Sequence, residues 1–283
     1  MNDPQHYARE RDVAEQAARA AGAFIAGHVG GLGADDVAEK IAHDLVTFVD
    51  REAERLVLDA LAAAFPDDAV LAEESAPEPD ERGTDGRRRW IVDPLDGTTN
   101  FTRGVPPYAV SIALEEDGRP VVAVVYDVAH DELFSAVRGG GLFLNGEAAR
   151  VSDTEKLDAA LVATGFPFRD YRWIDGYLAT FRHFALHTRG VRRHGAASVD
   201  LAWVACGRFD AFFEAGLAPW DTAAGVLLVE EGGGRVSGLP DGADPVHGGA
   251  LMVSNGLLHD ACFAACAPLA AAWTARGYAP GVE

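Results

Sequence analysis

The succession of secondary-structure signals along this chain predicts an α+β fold. Two amphipathic helical stretches open it, a run of β-branched segments with short breaks follows, and helices and strands alternate only after that. A plain βαβ repeat would alternate from the start. With 283 residues, 48% of them hydrophobic, the chain can bury the core of one large unit or two small domains.

The first helix is expected over His6–Val29, because Val13, Ala17, Ala20, Phe24 and Ile25 fall on one face before "GGLGADD" breaks the pattern. A second helix is expected after Asp50, with Ala53, Leu56, Val57, Ala60, Leu61 and Ala64 on one stripe and Phe65-Pro66 ending it. "AVLAEES" reads as a short strand running into a turn, and "PEPDERGTDGRR" as a polar surface loop. "RWIVD", "YAVSIALEE", "PVVAVVYDV" and "ELFSAVR" then read as successive strands punctuated by Gly, Pro and Asp. After "ALVATGFP" come a helix near Trp173–His187, a helix over Ser198–Cys206 and a strand "DAFFEA". A helix from Asp221, a strand "ALMVSN" and a terminal helix complete the order. The texture changes near Asp153–Lys156, which divides the chain into tightly packed halves, residues 1–153 and 154–283.

Charge narrows the function classes. Lys and Arg number 24 against 44 Asp and Glu, a net charge of −20, which disfavours nucleic acid and anionic membrane as partners. The first twenty residues carry Asp3, Glu10, Asp12 and Glu15 and no apolar core of a signal peptide. No window approaches the roughly 18 apolar residues of a membrane helix. Three cysteines fit a reducing cytoplasm without a disulfide framework, and Cys262 and Cys266, four apart on a predicted helix, read as buried core residues.

Acidic residues gather at element ends. In "WIVDPLDGTTNF", Asp93 is read as the last residue of its strand, Pro94 makes the exit turn, and Asp96 follows. Gly97-Thr98-Thr99 can open a short helix whose free amides form an anion site. Two carboxylates beside an anion site need a cation between them, and hard oxygen ligands select Mg²⁺. The plain alternative is an Asx turn, since Asp-Pro-x-Asp-Gly is good turn chemistry by itself. "LAEES" places Glu73-Glu74 at a strand end, "DLVTFVD" places Asp44 and Asp50 around a threonine, and "LAPWDTAAGVLLVEEGGG" places Asp221 at a helix start. Asp221 as an N-cap would be explanation enough on its own. Four such clusters, each beside Gly, Ser, Thr or Pro, exceed what capping predicts.

"WIVDPLDGTTNF" and "PWDTAAGVLLVEEGGG" are similar to the two signatures of the inositol monophosphatase family, with "DLVTFVD", "AEES", "TGFPF" and "GAASVDLAWVACGRFDAFFEAG" in matching order. The resemblance runs from about Ala20 to Asn255, most of the chain. It implies a layered αβαβα sandwich, a homodimer, and lithium-sensitive, Mg²⁺-dependent hydrolysis of a small phosphorylated polyol or sugar. It places a first ion on Glu73, Asp93 and the Leu95 carbonyl, a second on Asp93, Asp96 and Asp221, and a weaker third near Glu73. Thr98 paired with Asp50 would orient and deprotonate the attacking water, and Gly97 and Thr98 would donate amides to the phosphate. Gly195, Ala196, Ala197 and Glu214 would face the substrate's hydroxyls, and Lys40 would sit on a loop near the third ion. Inositol-1-phosphate is the expected substrate. Histidinol phosphate, fructose 1,6-bisphosphate and 3′-phosphoadenosine 5′-phosphate are the alternatives within the same chemistry, and a regulatory or scaffold protein is the alternative outside it. Two departures stand out: Ala72 where glycine is common and Ala196 where a hydroxyl residue is frequent, the second removing a potential sugar contact.

Overall fold

The computed structural model describes residues 4–30, 37–41, 44–75, 88–167 and 170–275. Five layers stack in the order helix, sheet, helix, sheet, helix. The first contains α1 (Ala8–Ala26) and α2 (Phe48–Ala64), whose apolar stripes bury Ala14, Ala21, Ile25, Ala53, Val57 and Leu61. A small antiparallel hairpin, β1 (Val37–Ile41) and β2 (Asp44–Thr47), leads into α2.

The second layer is a seven-stranded sheet in sequential order: β3 (Ala69–Ala72), β4 (Arg89–Asp96), β5 (Ala109–Glu116), β6 (Arg119–Asp127), β7 (Glu132–Val137), β8 (Leu142–Leu144) and β9 (Glu147–Ala149). Only β3 and β4 run parallel; the rest form an antiparallel meander. Both faces are covered, which is why these strands read as near-continuous apolar runs.

The central layer is α5 (Ala197–Ala205) and α6 (Pro219–Glu231). Thr222 through Val229 are all buried, as a helix that is apolar on every side must be when sheets lie above and below it. Full burial of Leu227 and Leu228 contributes about 1.5–3 kcal/mol each. The fourth layer is a five-stranded sheet ordered β11 (Gly190–Arg192), β10 (Leu161–Thr164), β12 (Ala211–Ala215), β14 (Ala250–Ser254), β13 (Arg235–Gly238). Helices α4 (Ile174–His187), α7 (His259–Ala265) and α8 (Ala267–Ala275) cover its outer face and bury Cys262 and Cys266.

Several boundaries differ from the sequence reading. Helix α2 begins at Phe48, because Thr47 caps it: Thr47 Oγ1 accepts from the Val49 amide, and Asp50 returns a bond to the Thr47 amide. Asp50 therefore lies inside the first turn. The terminal helix is two helices that meet at Cys266. Strands β8, β9, β11 and β13, each three or four residues long, carried too little pattern to be expected. The side chains of Lys40 and Asp44, and residues 77–87 of the polar loop, lie outside the described residues.

Candidate active site

Strand β4 supplies two of the carboxylates through an irregularity. Residues three apart on a regular strand point to opposite faces. Here Asp93 pairs with Ser111 and Asp96 with Ala109, so β4 spends one extra residue against β5. That bulge re-phases the alternation. Ile91, before it, packs into the inner core between the two sheets, whereas Leu95 packs on the outer side against the first helical layer. Asp96 thus shares the inner face with Asp93. Pro94 sits in the bulge, where its missing N–H breaks no ladder bond. This corrects the expectation that the strand ends at Asp93: β4 continues to Asp96.

Asp221 comes from the central layer. Ala218, not Asp221, occupies the N-cap of α6, and Asp221 at the third helical position accepts the Ala218 amide at 2.6 Å. The capping expectation was therefore displaced by one helical turn. Asp93, Asp96 and Asp221 bring one oxygen each within 4.8 Å of one another. Asp93 also takes the Leu95 amide at 3.0 Å, and Asp96 takes the amide and hydroxyl of Ser198 at 2.8 and 2.5 Å. Glu73 follows β3, held in the ladder by its amide on the Val92 carbonyl at 3.1 Å, and its carboxyl is hydrogen-bonded to Asp93.

This crowding appears in the proton affinities. Burial first, then Glu73, Asp96 and Asp221, push Asp93 well above the usual carboxylate range. Burial and then Asp221 push Asp96 up to about 7. A cluster of oxygen-only donors that resists ionising for want of positive charge is a fit for a hard divalent cation.

Gly97 turns the chain with φ +86° and caps the short helix α3 (Thr98–Thr102). A side chain there would lie 3.0 Å from the Pro107 carbonyl, so glycine is required both by conformation and by space. Asn100 ties this turn to the neighbouring loop by donating to the Pro107 and His194 carbonyls at 2.9 and 2.7 Å. Thr98 Oγ1 lies 2.8 Å from Asp50 Oδ1 and 3.0 Å from the Leu95 carbonyl. Asp50 is buried and does not line the cavity; it stands one hydrogen bond behind Thr98. Burial raises its pKa, partly offset by its bonds to Thr47 and Thr98.

These residues line a cavity of about 340 Å³ between the two sheets. Its lining includes Glu73, Asp93, Leu95, Asp96, Gly97 and Thr98, together with Gly195, Ala196, Ala197, Glu214 and Asp221. Glu214 is reached by alternation on β12: Phe212 packs into the inner core, so Glu214, two residues on, faces the same way. It is 8% exposed, and burial, then Asp200, push its pKa well above the usual range.

Arg193, Gly165 and Thr99 also line the cavity, as do Asp200 and Tyr171, which were not anticipated as site residues. Asp200 had a readable signal: it is the one acidic residue in the apolar helix "ASVDLAWVA". Burial pushes it up to about 6 against the downward pull of His194, whose Nδ1 lies 2.9 Å from its carboxylate. His194 itself stacks on Phe209 and supports Asp200 from behind. Tyr171 had no signal, because only the folding of its loop brings it there.

Comparison with known proteins agrees with this geometry. The family model described as the inositol monophosphatase family matches residues 7–271. The Nus factor SuhB of Pseudomonas aeruginosa is 47% identical over 247 residues, covering 86% of this chain and 90% of that protein. An inositol-1-monophosphatase of Rhizobium meliloti is 44% identical over 244 residues, covering 86% and 91%. The crystal structure of the extragenic suppressor protein suhB from Bartonella henselae superposes with a TM-score of 0.83 at 40% identity, covering 90% of this chain and 97% of that one. Fold, carboxylate cluster and sequence relationship agree, and the chain belongs to the inositol monophosphatase family.

Proposed function

We propose that this chain is a Mg²⁺-dependent phosphomonoesterase that hydrolyses inositol-1-phosphate or a similar small polyol or sugar monophosphate. The observation that carries the reading is the convergence of Asp93, Asp96 and Asp221 within 4.8 Å in a cavity that Glu214 also lines. Glu73, Asp93, Asp96, Asp221 and the Leu95 carbonyl would hold two to three ions. Bound there, Mg²⁺ supplies positive charge to the phosphoryl oxygens and lowers the pKa of the attacking water.

The chain's own groups do the rest. The Thr98 hydroxyl gives its proton to Asp50 in the observed hydrogen bond, which turns its lone pairs outward to receive a proton from water. As Thr98 Oγ1 takes the proton from water, its own proton passes to the Asp50 carboxylate, whose raised proton affinity favours the transfer. The amides of Gly97 and Thr98 bind the phosphate, and Gly195, Ala196, Ala197 and Glu214 orient the hydroxyls of the organic part. Phosphoryl transfer asks mainly for positioning and charge, so no nucleophilic serine or cysteine is needed.

Phosphate release at fixed Mg²⁺ from inositol-1-phosphate, histidinol phosphate, fructose 1,6-bisphosphate and 3′-phosphoadenosine 5′-phosphate tests the choice of substrate. A preference of about tenfold for one of the last three, worth about 1.4 kcal/mol, would overturn it. Millimolar lithium is expected to inhibit. A homodimer in the cytoplasm is part of the same reading. Phe166, Tyr171, Leu178 and Leu186, 46–60% exposed around α4, favour self-association, and free cysteines favour a reducing compartment.

The Nus factor name of the Pseudomonas relative favours a second, regulatory role. At a net charge of −20, such a role would act through protein rather than nucleic acid. A variant lacking phosphatase activity that still complements loss of the gene would establish it.

A further inference from the structure

Strands β10 and β12 are parallel neighbours, with Ala163 opposite Phe212 and Thr164 opposite Phe213, so Gly165 comes level with Glu214. Ala163 and Phe212 pack into the inner core, and the same alternation turns position 165 and Glu214 toward the cavity, which both line. Side chains at such paired positions normally stand side by side. Here they cannot: a Cβ at Gly165 would overlap the carboxyl carbon and both oxygens of Glu214. The carboxylate occupies the space that a side chain at 165 would fill. The backbone of Gly165 does not have a positive φ, so its conformation would suit alanine, and Glu214 alone stands in the way. At 8% exposure, the Glu214 carboxylate is confined by the residues packed round it, and Gly165 is one of them.

We propose that Gly165 is a positioning residue that sets the depth of the organic end of the cavity, by letting the Glu214 carboxylate lie back against the end of β10. A larger residue at 165 drives the carboxylate forward into the space of the substrate. The consequence is substrate selection by size: room for a six-membered polyol ring exists because position 165 carries no side chain. The assignment rests on the reading of this cavity as a phosphomonoesterase site.

Two measurements test it on the full chain with Mg²⁺. In thermal melts of Gly165→Ala, Glu214→Ala and the double variant, the alanine at 165 lowers Tm in the parent and has little effect once the carboxylate is gone. Equal losses in both backgrounds overturn the contact, whether or not the protein is an enzyme. In phosphate-release assays, Gly165→Ala raises KM for inositol-1-phosphate about tenfold more than KM for glycerol 2-phosphate, while kcat changes less than about threefold. Adding Glu214→Asp, which withdraws the carboxylate by one methylene, recovers part of that KM. Equal effects on the two esters, or a fall in kcat without a rise in KM, overturn the role in depth. A parent protein that releases phosphate from neither ester overturns the enzymatic reading, and the depth assignment with it.

Discussion

Asp93 is the residue where the cost of the site is concentrated. It is 1% exposed, hydrogen-bonded to Glu73 and grouped with Asp96 and Asp221, so its charge is opposed by burial and by three neighbours. Asp93→Asn is expected to abolish Mg²⁺-dependent phosphate release and yet to raise the metal-free Tm, since it removes one charge of the cluster while keeping its shape. A gain of about 1–2 kcal/mol, roughly 2–8 °C, is the expected size, read by calorimetry with chelator present. Near-normal turnover in that variant would refute the metal assignment. Thr98→Val tests the proton route: it keeps the volume, removes the hydroxyl beside Asp50, and should lower kcat by about 10²–10⁴ while KM moves little. Steady-state kinetics separate the two. Asp50 itself shows why single residues were hard to read: by accepting the Thr47 amide it is an ordinary member of a capping box, and the second role depends on Thr98, 48 positions away.

At the scale of elements, the bulge in β4 is the decisive feature. Its extra residue places Asp93 and Asp96 on one face, and in a regular strand the second would point into the core beneath α1 and α2. The turn that follows is equally constrained. Gly97→Ala puts a side chain at φ +86° and 3.0 Å from the Pro107 carbonyl, and should cost about 1–2 kcal/mol in Tm-based stability along with activity. Retention of both would show that α3 adapts without loss. The central helices make the same point differently: α5 and α6 are apolar where the sheets enclose them, and their buried polar residues, Ser198, Asp200 and Thr222, lie in their N-terminal halves, where Asp200 and Asp221 line the cavity.

For the whole molecule, the accumulated carboxylates make stability depend on pH and metal in a definite sense. Asp96 has a folded pKa of about 7 against 3.8 for an ordinary aspartate. The native state holds a proton there after the unfolded chain has released it, so this group's contribution to metal-free stability is greatest at acid pH and is lost as pH rises from about 4 to 7. The Tm advantage of Asp96→Asn over the parent should therefore be largest near pH 8 and vanish near pH 4, and Mg²⁺ at a hundred times its Kd should raise the parent's stability by about 2.7 kcal/mol. Melting curves across pH, with and without chelator, check both. The amphipathic stripes of α1 and α2, the meander of β5 to β7 and the turn chemistry of "DPLDGTT" were legible in the chain because periodicity and backbone preference are local properties. So was the candidate set of acidic residues, since Glu73, Asp93, Asp96 and Asp221 each stand beside residues that end or begin an element. Their convergence was decided only by tertiary structure. A one-residue bulge chose the face of Asp96, two sheets closing on α5 and α6 brought Asp221 across to it, and the register of β10 on β12 laid Glu214 over Gly165. Each of these is a relation between segments far apart in the chain, fixed by packing and ladder register, and local residue pattern carries no information about it.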